Sequence, residues 1–171
     1  MGGHIPWHKV DLPLRSTRSI WLATTGADER PRATPVWFWW DGHFLYFVTN
    51  RRGRKSRDLK MQPWVVAHLG DGDDVIIIEG PTERVLDEAC LARFAAAYAA
   101  KYVDPHSGAR ARIDHDGDET YRLRPARILT WEYGVAATRT EWRLDPAGEQ
   151  TPTVPAELLD RPHAGPEPSA R

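Results

Sequence analysis

The sequence predicts a mainly β protein, a small closed barrel with helices against its outside. Two observations lead there. Short β-rich runs bounded by turn residues recur through the first 144 residues, and several of those runs are apolar on both faces. In 32–40, Val36, Phe38 and Trp40 share one side while Pro35, Trp37 and Trp39 share the other. At 75–78, "VIII" leaves neither face for water. An antiparallel sheet with one wet face would alternate instead. These strands therefore need an inside and a covered outside, and a small barrel with helices or a second subunit on its exterior supplies both.

Taken in order, "RSIWLATT" (18–25) is the first strand, followed by the turn segment "GADERP". "RATPVWFWW" (32–40) and "HFLYFVTN" (43–50) flank Asp41-Gly42, a strong hairpin signal. Pro35 cannot donate to a ladder, so its strand is expected to be open there, with backbone groups free for a ligand. Arg54 to Met61 is expected to form a short helix stopped by Pro63. Strands at 64–70 and 74–86 follow. Asp87 to Tyr102 is a second helix, with Asp87 as N-cap and Leu91, Phe94, Ala95, Tyr98 and Tyr102 on one buried face. "TYRLRPARILTWEY" (120–133) and "TEWRL" (140–144) complete the strands. Residues 145–171 contain six prolines and no apolar periodicity, so the expectation is one domain over 1–144 and a disordered tail.

Composition narrows the function. The 171 residues carry 23 basic and 24 acidic side chains, a balance that argues against general nucleic-acid binding. The single cysteine, Cys90, has no internal disulfide partner, and a cytoplasmic setting is expected. No apolar run approaches the ~20 residues of a membrane helix, and the first 15 residues lack a secretory apolar core. No membrane partner is expected.

Against that neutral background, "TNRRGRKSRDL" (49–59) concentrates Arg51, Arg52, Arg54, Lys55 and Arg57 directly behind an apolar strand. Gly53 and the following helix start would offer unpaired N–H groups and partial positive charge, which suit a phosphate. Ser56 adds a hydroxyl donor. A solvated charged loop is the commoner explanation of such a run. A nucleic-acid patch is a third, but no aromatic-rich basic groove accompanies the cluster.

The stretch "PRATPVWFWWDGHFLYFVTNRRGRKSRDLKMQPWVVAHL", with "DGDDVIIIEGPTERV", "AAYAAKY" and "ATRTEWRL" after it, resembles the pyridoxamine 5′-phosphate oxidase-like family. Within it, the chain is most similar to the branch of flavin- and deazaflavin-dependent reductases. The resemblance spans about residues 10 to 144 in order. It implies a six-stranded antiparallel split β-barrel of the FMN-binding type, and a homodimer with two cofactor sites at the subunit interface. It further implies that Arg32, Ala33, Thr34, Pro35, Val36 and Trp37 line the ring system and ribityl chain, with Val48 and Thr49 beside them. Arg54 and Lys55 match the family's phosphate-binding Arg-Lys pair, with Ser56 and Arg57 in support. Asp74 stands where the family offers a Gln. Trp131 matches an aromatic reaching the cofactor across the dimer, and Arg139 is a looser match.

The function so implied is an oxidoreductase moving hydride between coenzyme F420, or alternatively FMN, and a small organic substrate. A non-catalytic protein that binds or stores a flavin, deazaflavin or tetrapyrrole is the alternative. A true pyridoxamine 5′-phosphate oxidase fits less well, because its substrate-holding Arg-Leu-His segment is replaced here by "AATRTEWRL". No residue stands out as a general acid or base. Asp114, Asp116, Asp118 and Glu119 with His115 suggest a metal loop, but Glu119 and Pro125 occupy the places that need Gly and Glu. The segment 103–119 is expected to be a solvated loop, or a lid in the functional alternative.

Overall fold

A computed structural model of the chain describes residues 4–133, 139–145 and 149–153. The elements are α1 (His8–Ser16), β1 (Ser19–Thr25), β2 (Pro31–Trp40), β3 (Leu45–Asn50), α2 (Arg54–Met61) and β4 (Trp64–Leu69). They continue with β5 (Asp74–Arg84), α3 (Glu88–Lys101), β6 (Asp118–Leu123), β7 (Arg127–Glu132), β8 (Thr140–Leu144) and β9 (Gln150–Thr153). The strands lie in the order β4-β1-β2-β3-β6-β5-β7-β8-β9, and β4 also pairs with β5. That extra pairing closes β1 to β6 into a six-stranded antiparallel ring, the split barrel expected. β7, β8 and β9 extend the sheet from β5.

Closure explains the doubly apolar strands. Ile20, Leu22, Phe38, Leu45, Phe47, Ile78 and Leu123 fill the interior, joined by Val10 and Leu14 of α1 and Leu59 of α2. The alternate residues of β2 and β3 pack outward: Tyr46 and Trp39 meet Phe94, Tyr98 and Tyr102 along α3. α1 lies at the Trp40 end of the barrel, where the Trp40 indole donates to Asp11 at 2.9 Å. α2 lies at the other end, beside Thr24, Arg32 and Glu119. Among the described residues no helix is long and apolar enough to cross a membrane.

The structure corrects several expectations. Asp41-Gly42 does not make a two-residue hairpin. β3 begins only at Leu45, and the Asp41 carboxylate accepts from the amides of His43 and Phe44 in a longer turn. The run 120–133 is two strands, broken at Arg124–Ala126, where Pro125 was a legible signal. α1 was not anticipated, because Pro13 lies inside it. The tail does not begin at residue 145: Gln150–Thr153 pair with β8 as β9. Residues 154–171 lie outside the described residues. Asp87 does cap α3, accepting from the Cys90 amide at 2.7 Å.

The β1–β2 ladder is finished by a side chain. The Tyr102 hydroxyl lies 2.7 Å from the Phe38 amide, which donates to it, and 2.7 Å from the carbonyls of Phe38 and Arg18. Burial raises the Tyr102 phenol pKa, so the group stays protonated and can donate. Tyr102→Phe leaves the buried Phe38 N–H without a partner, an expected loss of about 1–3 kcal/mol in urea unfolding. Wild-type stability in that variant would mean water replaces the hydroxyl.

Candidate functional site

β2 pairs with β1 along Pro31–Trp37, but with β3 only over Phe38–Trp40. The strands diverge below Phe38, and among the described residues the edge of β2 facing β3 is free from Pro31 to Trp37. Val48, Thr49 and Asn50 are likewise paired only to β6. This divergence is the split of the barrel, and it places open backbone where Pro35 led us to expect it. Ala33, Thr34, Pro35 and Trp37 are exposed, whereas the Val36 side chain turns into the core and leaves only its backbone to the edge. Trp37 stacks on Tyr102 at 4.6 Å with an interplanar angle of 5°, and the Arg18 guanidinium covers it at 4.6 Å.

α2 brings the basic run to this open edge. Its N-cap is Gly53 in extended conformation, with no side chain capping the first turn. A Cβ at Gly53 would stand 3.0 Å from the Asn50 carbonyl oxygen, so glycine fits the tight entry. Arg54 and Arg57 are exposed. Lys55 is half-buried, no carboxylate pairs with it among the described residues, and burial alone lowers its pKa. A half-buried ammonium without a counter-ion is an unfavourable arrangement unless an anion completes it. Together with the uncapped helix start, it fits a phosphate-bearing cofactor.

Other expected donors are already engaged. The buried Ser56 hydroxyl donates to Glu119, away from the helix N-terminus. Arg32 makes two bonds to Asp28, at 2.6 and 2.8 Å, and approaches Asp58 at 3.5 Å. The Thr49 side chain is buried opposite Glu119. Sequence reasoning missed Asp58 and the role of Glu119 here, since their partners lie 34 and 63 residues away.

Asp74, Trp131 and Arg139 are not brought to this edge. Trp131, on β7, pairs with Val75 of β5 and lies four strands from β2, or about 19 Å along the sheet. Arg139 lies over the Trp131 ring at 5.4 Å, and Asp74 pairs with Glu132. Within one chain these residues form a separate group. A surface cavity of about 440 Å³ lined by Arg15, Trp39 and Lys101 lies at the opposite end of β2.

No curated protein matches the chain significantly. Among solved structures it is similar to a conserved hypothetical protein, Rv2991 from Mycobacterium tuberculosis. The identity is 22% and the TM-score 0.62, over 76% of this chain and 86% of that one. It is similar to a pyridoxamine 5′-phosphate oxidase-related, FMN binding protein from Nostoc punctiforme at 17% identity and TM-score 0.59, covering 87% and 96%. An F420 reductase matches at 24% identity and TM-score 0.53, covering 72% of this chain and 98% of its own. At these identities the likeness speaks for the fold. Residues 7–132, from α1 through the last residue of β7, match the family described as pyridoxamine 5′-phosphate oxidase. A closed six-stranded ring, split between β2 and β3 beside a basic helix start, accords with that match, and the chain belongs to the pyridoxamine 5′-phosphate oxidase family.

Proposed function

We propose that this protein is an oxidoreductase that holds coenzyme F420, or FMN in its place, along the free edge of β2 and acts on a small organic substrate. One observation carries the reading: a half-buried Lys55, without a counter-ion among the described residues, beside the uncapped start of α2 and the edge of β2 that β3 leaves unpaired. When bound, the cofactor supplies the hydride chemistry. The chain's own part is binding and orientation. Lys55, Arg54 and the first-turn amides hold the anionic tail, and the Pro31–Trp37 edge offers hydrogen bonds to a planar ring. The F420 reductase and the FMN binding protein among its structural neighbours support a cofactor of this type.

The site is completed, in this reading, by a second copy of the chain. Trp21, 47% exposed, lies in one row with Pro35, His68, Ile77 and Leu129 across β2, β1, β4, β5 and β7. Trp37 and Trp64 are also exposed. An apolar sheet face carrying exposed indoles needs cover, and a homodimer would bring the partner's Trp131 to the edge it cannot reach within its own chain.

Absorption and fluorescence titration of the purified protein with FMN and with F420 tests this. Saturable binding of one cofactor per chain is expected, with light scattering giving the mass of two chains. Binding of neither would sink the cofactor reading. A cofactor-bound monomer would sink the shared site. Turnover of the reduced cofactor with an acceptor separates an enzyme from a storage protein.

A further inference from the structure

We propose that Glu119 is the positioning residue of the anion site: from the barrel end it fixes the rotation of α2, and so where Lys55 and the first-turn amides face. The inference rests on the cofactor reading above. Glu119 lies on β6 opposite Thr49, and its side chain is 2% exposed. It accepts from the Ser56 hydroxyl, from Lys60 at 3.0–3.1 Å and from the Tyr121 hydroxyl at 3.3 Å, and it pairs with Arg84 at 3.4 Å. Burial pushes its pKa up, but Ser56, Lys60 and Arg84 outweigh burial and hold the carboxyl below its ordinary value.

Two of the four donors, Ser56 and Lys60, are four residues apart on one face of α2. Lys55 adjoins Ser56 and is turned about 100° from it. Pinning Ser56 and Lys60 therefore sets the direction of Lys55. On the other flank Asp58 of α2 approaches Thr24 at 3.4 Å and Arg32 at 3.5 Å, so the helix is held from both sides.

Closing a barrel end does not require a charge. A leucine at position 119 would give similar cover without the desolvation cost of a buried carboxylate. What the carboxylate adds is direction, since its lone pairs are satisfied by one rotation of the helix. α2 needs that direction, because eight residues without an N-terminal side-chain cap are weakly held by their own hydrogen bonds.

Glu119→Gln tests the proposal, because two accounts predict opposite signs. The substitution keeps the shape but leaves Lys60 and Arg84 without their counter-ion. If net charge governed the site, an anionic cofactor would bind more tightly. Positioning predicts binding about tenfold weaker, roughly the worth of one charge-assisted hydrogen bond. The probe is FMN or F420, whichever the wild type binds, measured far below the melting transition. Faster amide exchange in α2 is expected with it. Ser56→Ala changes no charge and is expected to weaken binding in the same direction; it carries the test if Glu119→Gln does not fold. A purely structural role would lower the melting temperature while leaving affinity unchanged. Affinity equal to or above wild type in the folded variants overturns the proposal. A wild type that binds neither cofactor overturns the cofactor reading, and this proposal falls with it.

Discussion

Lys55→Ala is expected to weaken cofactor binding about 10- to 150-fold, with the fold intact. Charge-assisted hydrogen bonds contribute roughly 1.5–3 kcal/mol, and each 1.4 kcal/mol is tenfold in affinity. Lys55 belongs at the upper end of the range, because it is half-buried and no carboxylate among the described residues competes for it. Arg54→Ala belongs at the lower end, because Arg54 is exposed and salt screens it. Arg52 is the control, exposed and outside the helix, and its replacement should lose much less. Arg51 is unsuitable as a control: its guanidinium donates to the His115 carbonyl at 3.1 Å and its amide to Gly117 at 2.8 Å. The pH dependence has a definite sign. Burial lowers the Lys55 pKa, and the phosphate-binding form is the protonated one, so affinity falls as pH rises through that lowered value. Isothermal titration of the variants checks both statements. Equal losses at Arg52, Arg54 and Lys55 would indicate a diffuse basic patch. No loss at Lys55 would leave the basic run a solvated loop.

A large loss of stability is expected from Gly80→Ala. β5 pairs with β7 up to Glu79 and with β6 from Thr82 onward, so it changes neighbours around Gly80. The Arg124–Ala126 corner folds over that point, with Arg124 donating to the Pro81 carbonyl at 3.0 Å and Ala126 to Glu79 at 2.8 Å. A Cβ at Gly80 would stand 2.0 Å from the Arg124 carbonyl oxygen and 2.9 Å from the Ala126 nitrogen. Both obstacles are backbone, which cannot rotate aside as a side chain would. Overpacking of this kind costs about 3 kcal/mol. For a chain of this length, that corresponds to a melting temperature lower by ~6–12 °C. A drop under about 2 °C would show that the corner gives way freely.

Much of the fold was legible because it depends on near neighbours in the chain. Gly53 and Pro63 bracket α2, and its span, Arg54–Met61, is the one the sequence predicts. The Asp87 cap does the same for the start of α3. Apolar residues on both faces of 32–40 and 75–78 required an inside and an outside, and the barrel supplies them. The exceptions are also local in origin. Pro13 masked α1, and the prolines of the tail masked β9, which among the described residues pairs with β8 alone.

The site divides along the same physical line. Lys55 could be singled out from residues 49–59 alone, because a glycine, a helix start and a run of cations are neighbours in sequence. Periodicity and turn chemistry report backbone conformation over a few residues, and they carry the argument that far. Which edge of β2 stays free is another matter: β1 pairs along Pro31–Trp37 while β3 joins only at Phe38, within a ring that β4 closes on β5. That closure also brings Ser56 to Glu119 across 63 residues, and Asp58 to Thr24 across 34. Arg32, expected from the sequence to line the cofactor, has its side chain paired with Asp28 and near Asp58. A hydrogen bond or ion pair depends on distances of a few ångströms between side chains. For residues this far apart in sequence, the order of strands around the barrel decides those distances.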